Sequence, residues 1–459
     1  MTQHQNFTEL GTEPVGKLLM KYAIPAIIAM AASSLYNIID SIFIGQGVGA
    51  IAIAGLTLTS PLMALTAAFG AMVGVGASTL LSVKLGEKDY TSAQLILGNV
   101  VTLNVVMGIL LGLIMFLLLD PILYFFGASK ETIPYARDFM RVILIGNVVT
   151  HLYLGLNAML RSSSKPKQAM FATIGTVLIN LILAPLFIYG FHWGIEGAAL
   201  ATILAQTIVL VWQLRLFNNK KELIHLKSGI YKLHSRIVKE SLAIGMAPFL
   251  INLCACIVVI IVNQAMVKYG GDMAVGAYGI VNRIAFLFIM IVIGINQGMQ
   301  PIAGYNFGAR RYDRLILVLR HACILATGIT TLGFIVGTFF AEECARAFTS
   351  DTELIRRATE GMHIVFIVFP LIGIQIVTTS FFQSIGQVRK SIFLSLTRQL
   401  LFLIPLLLVL PSFFETNGVW ISMPISDGAA CIVAIILLIK QIRNFKTKIL
   451  EDERQHVCN

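Results

Sequence analysis

Twelve long apolar stretches constrain the fold of this chain more than any other feature. Each has roughly 20 or more residues, the length that an α-helix needs to cross a bilayer. Lipid offers no partner to an unpaired backbone amide, so we expect every stretch to be helical. The predicted spans are 17–46, 51–83, 92–119, 134–160, 166–190, 195–217, 236–268, 275–307, 313–341, 353–384, 390–412 and 418–443.

Composition supports the same fold class. Charged residues make up 12% of the 459 residues, against about 25% in a soluble domain. The mean hydropathy is +0.83. We therefore predict an all-α, multi-pass integral membrane protein with twelve transmembrane helices.

The sequence also repeats itself once, at an offset of about 222 residues. The matched pairs are Pro25 and Pro248, Gly76 and Gly298, Gly86 and Gly308, Tyr90 and Tyr312, and Ser162 and Ser384. Duplication of this kind in an apolar chain is typical of a two-lobed transporter with its site between the lobes. We predict an N-terminal six-helix lobe at 1–217, a cytoplasmic linker at 218–235 and a C-terminal six-helix lobe at 236–459.

The net charge of +11 does not indicate a nucleic-acid partner. Most Lys and Arg residues fall on one side of the predicted spans, while the acidic residues divide evenly between the two sides. This bias is the positive-inside rule, which predicts that both termini are cytoplasmic. The longest basic segment is the linker and the start of the next span, with Lys220, Lys221, Lys227, Lys232, Arg236 and Lys239.

One acid breaks the repeat, because Asp40 in the first half corresponds to Asn263 in the second. A carboxylate within a span is costly to insert and usually marks an ion or substrate path. Held away from water, such a group can take up and release a proton, so Asp40 is our first coupling candidate. The alternative is a structural acid near the membrane interface.

Other polar residues within the first-half spans accompany Asp40. Asn180 stands five residues before Pro185, whose ring frees a backbone carbonyl one turn earlier. Any one of these side chains can instead serve as a hydrogen bond between helices. The coupling candidates are Asp40, Asn180, Thr202 and Asn157, and the first-half candidates for a substrate cleft are Asn37, Tyr36, His151 and Gln206.

The second half is polar but nearly without acids. Its cleft candidates are Asn263, Arg283 and Gln297. Arg398 and Asp427 carry opposite charges in adjoining spans, and a buried arginine needs a partner. We predict a structural ion pair between them, with participation of Asp427 in proton movement as the alternative.

The motifs exclude several classes of function. The sequence has no Walker loop and no dinucleotide fingerprint, so we predict neither an enzyme nor an ATP-driven pump. The six cysteines fall mostly within apolar helices, which gives no reason to expect a disulfide, a metal site or a cofactor.

Four segments carry a resemblance to a known family over essentially the full chain. They are IPAIIAMAASSLYNIIDSIFIG, GVGASTLLSVKLGEKDY, LINLILAPLFIYGFHWGIEGAALATIL and QGMQPIAGYNFGARRYD. In their order and spacing the chain resembles the multidrug and toxic compound extrusion (MATE) transporters. AYGIVNR and GYNFGA are most similar to the bacterial MepA-type subgroup.

The resemblance implies two six-helix bundles related by a pseudo-twofold axis along the membrane normal. It implies alternating access and export of cationic, amphiphilic drugs by antiport against H⁺ or Na⁺, which confers antibiotic resistance. It also implies that one chain suffices for function and that the protein lies in the plasma (inner) membrane of a bacterium.

The resemblance assigns roles to individual residues. Asp40 matches the acid of helix 1, Asn180 the amide of helix 5, Thr202 the hydroxyl of helix 6 and Asn157 a polar position of helix 4. Pro25 matches a proline at which helix 1 is thought to bend. This chain departs from the family at Ala184, where many members have an acid, so we expect H⁺ rather than Na⁺ coupling through Asp40, with Glu196 as the less favoured substitute acid.

Two other functions stay open. One is a flippase for lipid-linked saccharides in the same superfamily, whose cleft cations would be Arg283 and Arg398. The other is a passive channel or a membrane sensor, although nothing in the sequence indicates a signalling domain. The identity of the substrate and the stoichiometry are not determined by the sequence.

Overall fold

The chain folds into membrane-length helices. The structure, a computed structural model, describes residues 9–126 and 128–458; in this part the side chains of residues 37, 38, 50, 53, 54, 272, 452, 453 and 455–458 are not described. No β-strand occurs among the described residues. The helices that are long and apolar enough to cross a membrane are α1 Val15–Gly47, α2 Gly55–Gly86, α3 Tyr90–Leu117, α4 Ile133–Ile145 with Asn147–Ser162, α5 Pro166–Gly190, α6 Gly194–Phe217, α7 Ser235–Gly271, α8 Met273–Gly308, α9 Tyr312–Phe339, α10 Thr352–Ser384, α11 Val388–Val409 and α12 Pro411–Glu451.

The predicted all-α membrane fold is confirmed. Eleven helices qualify singly, and the bent pair that we label α4 brings the number to twelve. The largest differences from the predicted boundaries are at α12, which begins at Pro411 rather than near residue 418 and ends at Glu451 rather than near residue 443. Proline is favoured in the first turn of a helix, and the left-handed backbone of Glu415 (φ 51°) then interrupts the helical geometry.

Local sequence explains the breaks in these helices. The two parts of α4 meet at 57° around Gly146, where a Cβ would overlap the side chain of Ile203. Gly271 separates α7 from α8 with a φ of 67°, a conformation that favours glycine. In α5, Pro185 removes one backbone donor and is followed by a π-helical turn, Leu186–Gly190.

The helices form two compact units. Unit 1 includes Ile28–Phe249, and unit 2 is Leu10–Ile27 with Leu250–Asn459. Each unit has its own apolar core. The core of unit 1 includes Leu62, Phe139 and Phe187, and that of unit 2 includes Met266, Phe366, Phe369 and Trp420.

Each unit contains the first part of a helix that continues into the other. Residues Leu10–Ile27, which include the start of α1, pack within unit 2, and the start of α7 packs within unit 1. Two of the changes of unit fall just after Pro25 and Pro248, which correspond in the repeat.

Glycines explain how these half-helices pack. In unit 1, a Cβ at Gly76 of α2 would overlap the carbonyl of Ser241 on α7, and one at Gly245 would overlap the carbonyl of Met72. The backbones of α2 and α7 therefore cross in direct contact, as small residues allow in membranes. In unit 2, a Cβ at Gly298, the repeat partner of Gly76, would likewise overlap the backbone of Ala23, at 2.6 Å from its nitrogen.

Side chains of α8 and α9 hold the first segment of the chain in unit 2. The amide of Asn306 donates to the carbonyl of Leu10 at 2.9 Å. The guanidinium of Arg314 donates to the carbonyl of Glu13 at 2.5 Å, and Arg311 donates to the carbonyl of Gly11. Three polar side chains thus replace the hydrogen bonds that this backbone would otherwise make to water.

Candidate functional site

A hydroxyl-centred cluster in unit 1 joins three of the predicted residues. The Tyr36 hydroxyl of α1 lies 3.0 Å from the Thr202 hydroxyl of α6. The Asn180 amide of α5 donates to the same oxygen at 3.0 Å, and Thr202 donates to the carbonyl of Ala198 at 3.2 Å. Because the Thr202 hydroxyl donates its proton to the carbonyl of Ala198, its oxygen can accept hydrogen bonds from both Tyr36 and Asn180. Both lone pairs of this oxygen are then used.

Asp40 lies one turn beyond Tyr36 on α1, so the two side chains share a face of the helix. The Oδ1 atom of Asp40 is buried and has no hydrogen-bond partner among the described residues. A buried carboxylate oxygen in this condition is costly unless the group carries a proton or meets a cation. The side chain of Asn37, also predicted here, lies outside the described side chains.

Ala184, where many relatives of this kind are expected to have an acid, lies in an apolar environment. It is fully buried, one turn after Asn180, in the core cluster that includes Phe187, Ala198 and Ala201. Its methyl group packs among the apolar side chains of this cluster. In the described part of the chain, no three His, Cys, Asp or Glu side chains converge as metal ligands would.

Asn157 takes part in a different group of hydrogen bonds. Its amide donates to the carbonyl of Ala169 at 3.1 Å, and its oxygen accepts from the Arg161 guanidinium at 2.5 Å. Ala169 and Asn180 are separated by about 16 Å along α5. The structure therefore places Asn157 with Arg161, and neither has a hydrogen bond to Thr202 among those described.

Sequence reasoning missed Arg161, which ends α4 as the only basic residue in its last turn. The available signal was its spacing: it follows Asn157 by four residues, on the same helix face.

His151 and Gln206 are also held by neighbouring helices. His151 is fully buried, with Nε2 3.0 Å from the carbonyl of Thr66 on α2. Gly70 allows this contact because a Cβ there would come within 3.1 Å of the imidazole. The Gln206 oxygen accepts from the hydroxyl of Thr150 at 2.6 Å. The predicted role of both residues in a substrate cleft stays a prediction.

The remaining cleft candidates belong to unit 2 and lie on α7 and α8. Asn263 is half-buried, Arg283 is exposed and Gln297 is half-buried. Pro25, the predicted hinge, is buried within α1. The structure shows where these residues lie, and their roles stay predictions.

Arg398 and Asp427 form an ion pair in unit 2. The Arg398 Nε atom donates to Asp427 Oδ1 at 2.5 Å. The Asp427 side chain is only 5% exposed, whereas that of Arg398 is 27% exposed. Arg398 lies in a π-helical turn, Thr397–Leu403, a local widening of the helix that is frequent at functional sites.

Comparison with known proteins gives a consistent result. The sequence model of the MatE family matches residues 25–186 and 244–409. The chain is 27% identical over 431 residues to "Multidrug export protein MepA" of Staphylococcus haemolyticus (strain JCSC1435), which covers 93% of this chain and 94% of that protein. It is equally identical over 436 residues to the protein of the same name from Staphylococcus aureus (strain MSSA476), covering 94% of this chain and 95% of that protein.

Solved structures agree on the fold. A structure described as MATE in the bent conformation superposes with a TM-score of 0.91 at 24% identity, covering 98% of this chain and 99% of that one. A structure described as the outward-facing conformation of a multidrug resistance MATE family transporter of the MOP superfamily gives 0.90 at 24% identity, covering 96% and 98%.

Proposed function

Because the chain belongs to the MatE family of membrane transporters, we propose that it exports cationic amphiphilic drugs by antiport against H⁺, with Asp40 as the coupling acid. The MepA proteins to which it is similar are named as multidrug export proteins. The observation that carries the proposal is the buried Asp40 Oδ1, which has no hydrogen-bond partner among the described residues.

The chemistry of the cluster favours H⁺ over Na⁺. A sodium ion needs several oxygen lone pairs, and anionic oxygens attract it most strongly. The Thr202 hydroxyl is already saturated by Tyr36, Asn180 and Ala198, and position 184 supplies a buried methyl group in place of a second carboxylate. A single acid beside a saturated hydroxyl suits a proton better than a metal ion.

Protonation of Asp40 gives a simple coupling step. The neutral acid is cheaper to bury than the carboxylate, whereas the carboxylate attracts a cationic drug. Proton and drug would then exclude each other at one group, which is the requirement for exchange. The paired state of Arg398 supports this function over a flippase, because one of the two cations predicted to hold a pyrophosphate is engaged by Asp427.

The test is ethidium transport by proteoliposomes under an imposed pH gradient or an imposed Na⁺ gradient. We expect transport driven by the pH gradient in wild type and its loss in Asp40→Asn. Glu196→Gln is the matched control, since this acid of unit 1 lies exposed in the first turn of α6 and its neutralisation should leave transport unchanged.

Two results would overturn the proposal. Uphill transport by Asp40→Asn would remove this acid from the coupling step, and transport driven only by Na⁺ would refute the argument from Thr202 and Ala184. An absence of transport under both gradients, together with competition by a lipid pyrophosphate, would favour the flippase.

A further inference from the structure

The segment between α6 and α7, residues 218–234, is an ordered strap that lies along α3 in unit 1. Its main chain is held by side chains on one stripe of that helix. Gln94 pairs with His225, accepting from its N–H at 3.2 Å and donating to its carbonyl. Thr102 donates to the carbonyl of Tyr231 at 2.8 Å.

Asn99 is the central anchor of the strap. Its oxygen accepts from the N–H of His234 at 2.8 Å, and its amide donates to the carbonyl of Lys232 at 3.2 Å. Between the anchors, a Cβ at Gly98 would overlap the carbonyl of Ile230, so the backbone of α3 lies in direct contact with the backbone of the strap. A linker that served only as a tether would need none of these contacts.

Burial and an ion pair fix the strap further. Ile224 and Ile230 are 3% and 2% exposed. The Lys165 ammonium, at the start of α5, lies 3.0 Å from the Glu222 carboxylate. The strap is therefore attached at both its beginning and its end.

The anchors place the strap at the membrane surface. Asn99 and Thr102 lie about 14–18 Å along α3 from its first residue, Tyr90. The 28 residues of α3 measure about 42 Å, about 12 Å more than the roughly 30 Å of hydrocarbon, so the anchors run from the headgroup level near Gln94 to the upper acyl chains near Thr102. Irregular backbone at that depth needs hydrogen-bond partners from protein, which is what Gln94, Asn99 and Thr102 supply.

The strap and the first turns of α7 expose both apolar and basic side chains. Tyr231 is 42% exposed and Leu233 is 41% exposed. Lys227, Lys232 and Lys239 are exposed and form no ion pair with a described acid. The nearby acids are already engaged, since Glu222 pairs with Lys165 and Glu240 pairs with Arg236 at 2.9 Å.

We propose that the strap is a docking surface for an anionic phospholipid of the leaflet on the basic side of the protein. Tyr231 and Leu233 lie at the boundary between headgroups and acyl chains, as tyrosine does at membrane interfaces. Lys227, Lys232 and Lys239 hold the phosphate and the anionic headgroup. This surface is independent of the coupling acid and does not require the proposed antiport.

The test uses the full-length protein in nanodiscs of phosphatidylcholine with a minor share of phosphatidylglycerol. The lipid retained after detergent extraction is measured by native mass spectrometry for wild type and Lys227→Gln/Lys232→Gln/Lys239→Gln. The matched control is Lys440→Gln/Arg443→Gln/Lys446→Gln, which removes three exposed charges from α12 without touching the strap.

We expect the strap variant to retain at least about fivefold less phosphatidylglycerol, the effect of one basic residue near an anionic surface, and the control to match wild type. Equal retention in the two triple variants overturns the proposal. Release of the lipid by millimolar inorganic phosphate also overturns it, because the site would then bind free phosphate.

A second measurement tests the apolar part. Tyr231→Trp should show fluorescence quenched by lipids brominated near the headgroup, measured as the difference from wild type in the same nanodiscs. Unquenched fluorescence overturns the proposed depth. Thermal unfolding of every variant shows that the fold is kept.

Discussion

Gly76→Ala tests the direct contact between α2 and α7. In a helix without neighbours, replacing Gly by Ala stabilises by up to about 1 kcal/mol. At Gly76 the added methyl would overlap the carbonyl of Ser241, which is backbone and cannot rotate away. Overpacking of this kind costs about 1–3 kcal/mol, so we expect a net loss of about 1–2 kcal/mol in the free energy of unfolding.

The control and the assay follow from the same geometry. Gly175→Ala, also in unit 1, places its methyl 3.7 Å from Val209, an ordinary contact, and should be neutral or stabilising. Gly245→Ala acts at the same crossing as Gly76→Ala, through Met72. The double variant should therefore cost less than the sum of the two single changes, because α2 and α7 need to separate only once.

Unfolding free energies can be measured by SDS titration in mixed micelles for the wild type, the three single variants and the double variant. If Gly76→Ala is as stable as Gly175→Ala, α2 and α7 do not cross in backbone contact. If the costs of Gly76→Ala and Gly245→Ala add fully, the two glycines do not act at one crossing.

Three further predictions concern other contacts. Asp427→Asn should lower the free energy of unfolding by about 3 kcal/mol, since it leaves the mostly buried Arg398 without its anion. The double variant Arg398→Met/Asp427→Leu should restore most of this loss. If the single and double variants lose equal stability in the same SDS titration, the pairing role is contradicted. Asn99→Leu removes the central anchor of the strap and should speed tryptic cleavage at the strap lysines by roughly tenfold. This factor is equivalent to about 1.4 kcal/mol, or one to two hydrogen bonds. Unchanged cleavage would show that the other contacts suffice to hold the strap on α3. Thr202→Val removes the oxygen shared by the coupling cluster and should slow pH-driven ethidium transport by about tenfold. The control is Thr207→Val, since the Thr207 hydroxyl donates to the carbonyl of Ile203 on its own helix. This variant should transport normally.

Much of the fold follows from local sequence. Hydropathy predicted the spans because the backbone in lipid has no alternative to helix. The four segments that carry the family resemblance predicted the family, and the match to the MatE family confirms it. The length of α12 was underestimated because hydropathy marks only the apolar part of a helix, and α12 continues through charged residues to Glu451.

The candidate site was predicted only in part. The residue types Asp40, Asn180 and Thr202 were apparent, since polar groups in apolar helices are few. Thr202 joins Tyr36 to Asn180, whereas Asn157 joins Arg161. These partnerships depend on which faces of α1, α4, α5 and α6 meet. Helical periodicity gives the face of one helix and not its partner.

The sequence by itself determined that this chain spans a membrane as twelve helices, that it is duplicated, and that Asp40 within the first span corresponds to the uncharged Asn263 in the second half. These properties depend on hydropathy and on residue identity, which act locally. Only the tertiary structure decided that the first part of α1 packs within unit 2 and the first part of α7 within unit 1. It also decided that Gln94, Asn99 and Thr102 bind a strap more than 120 positions further along the chain. The reason is physical: a glycine or an amide specifies close approach or a hydrogen bond, but the backbone that approaches it is selected by packing over the whole chain.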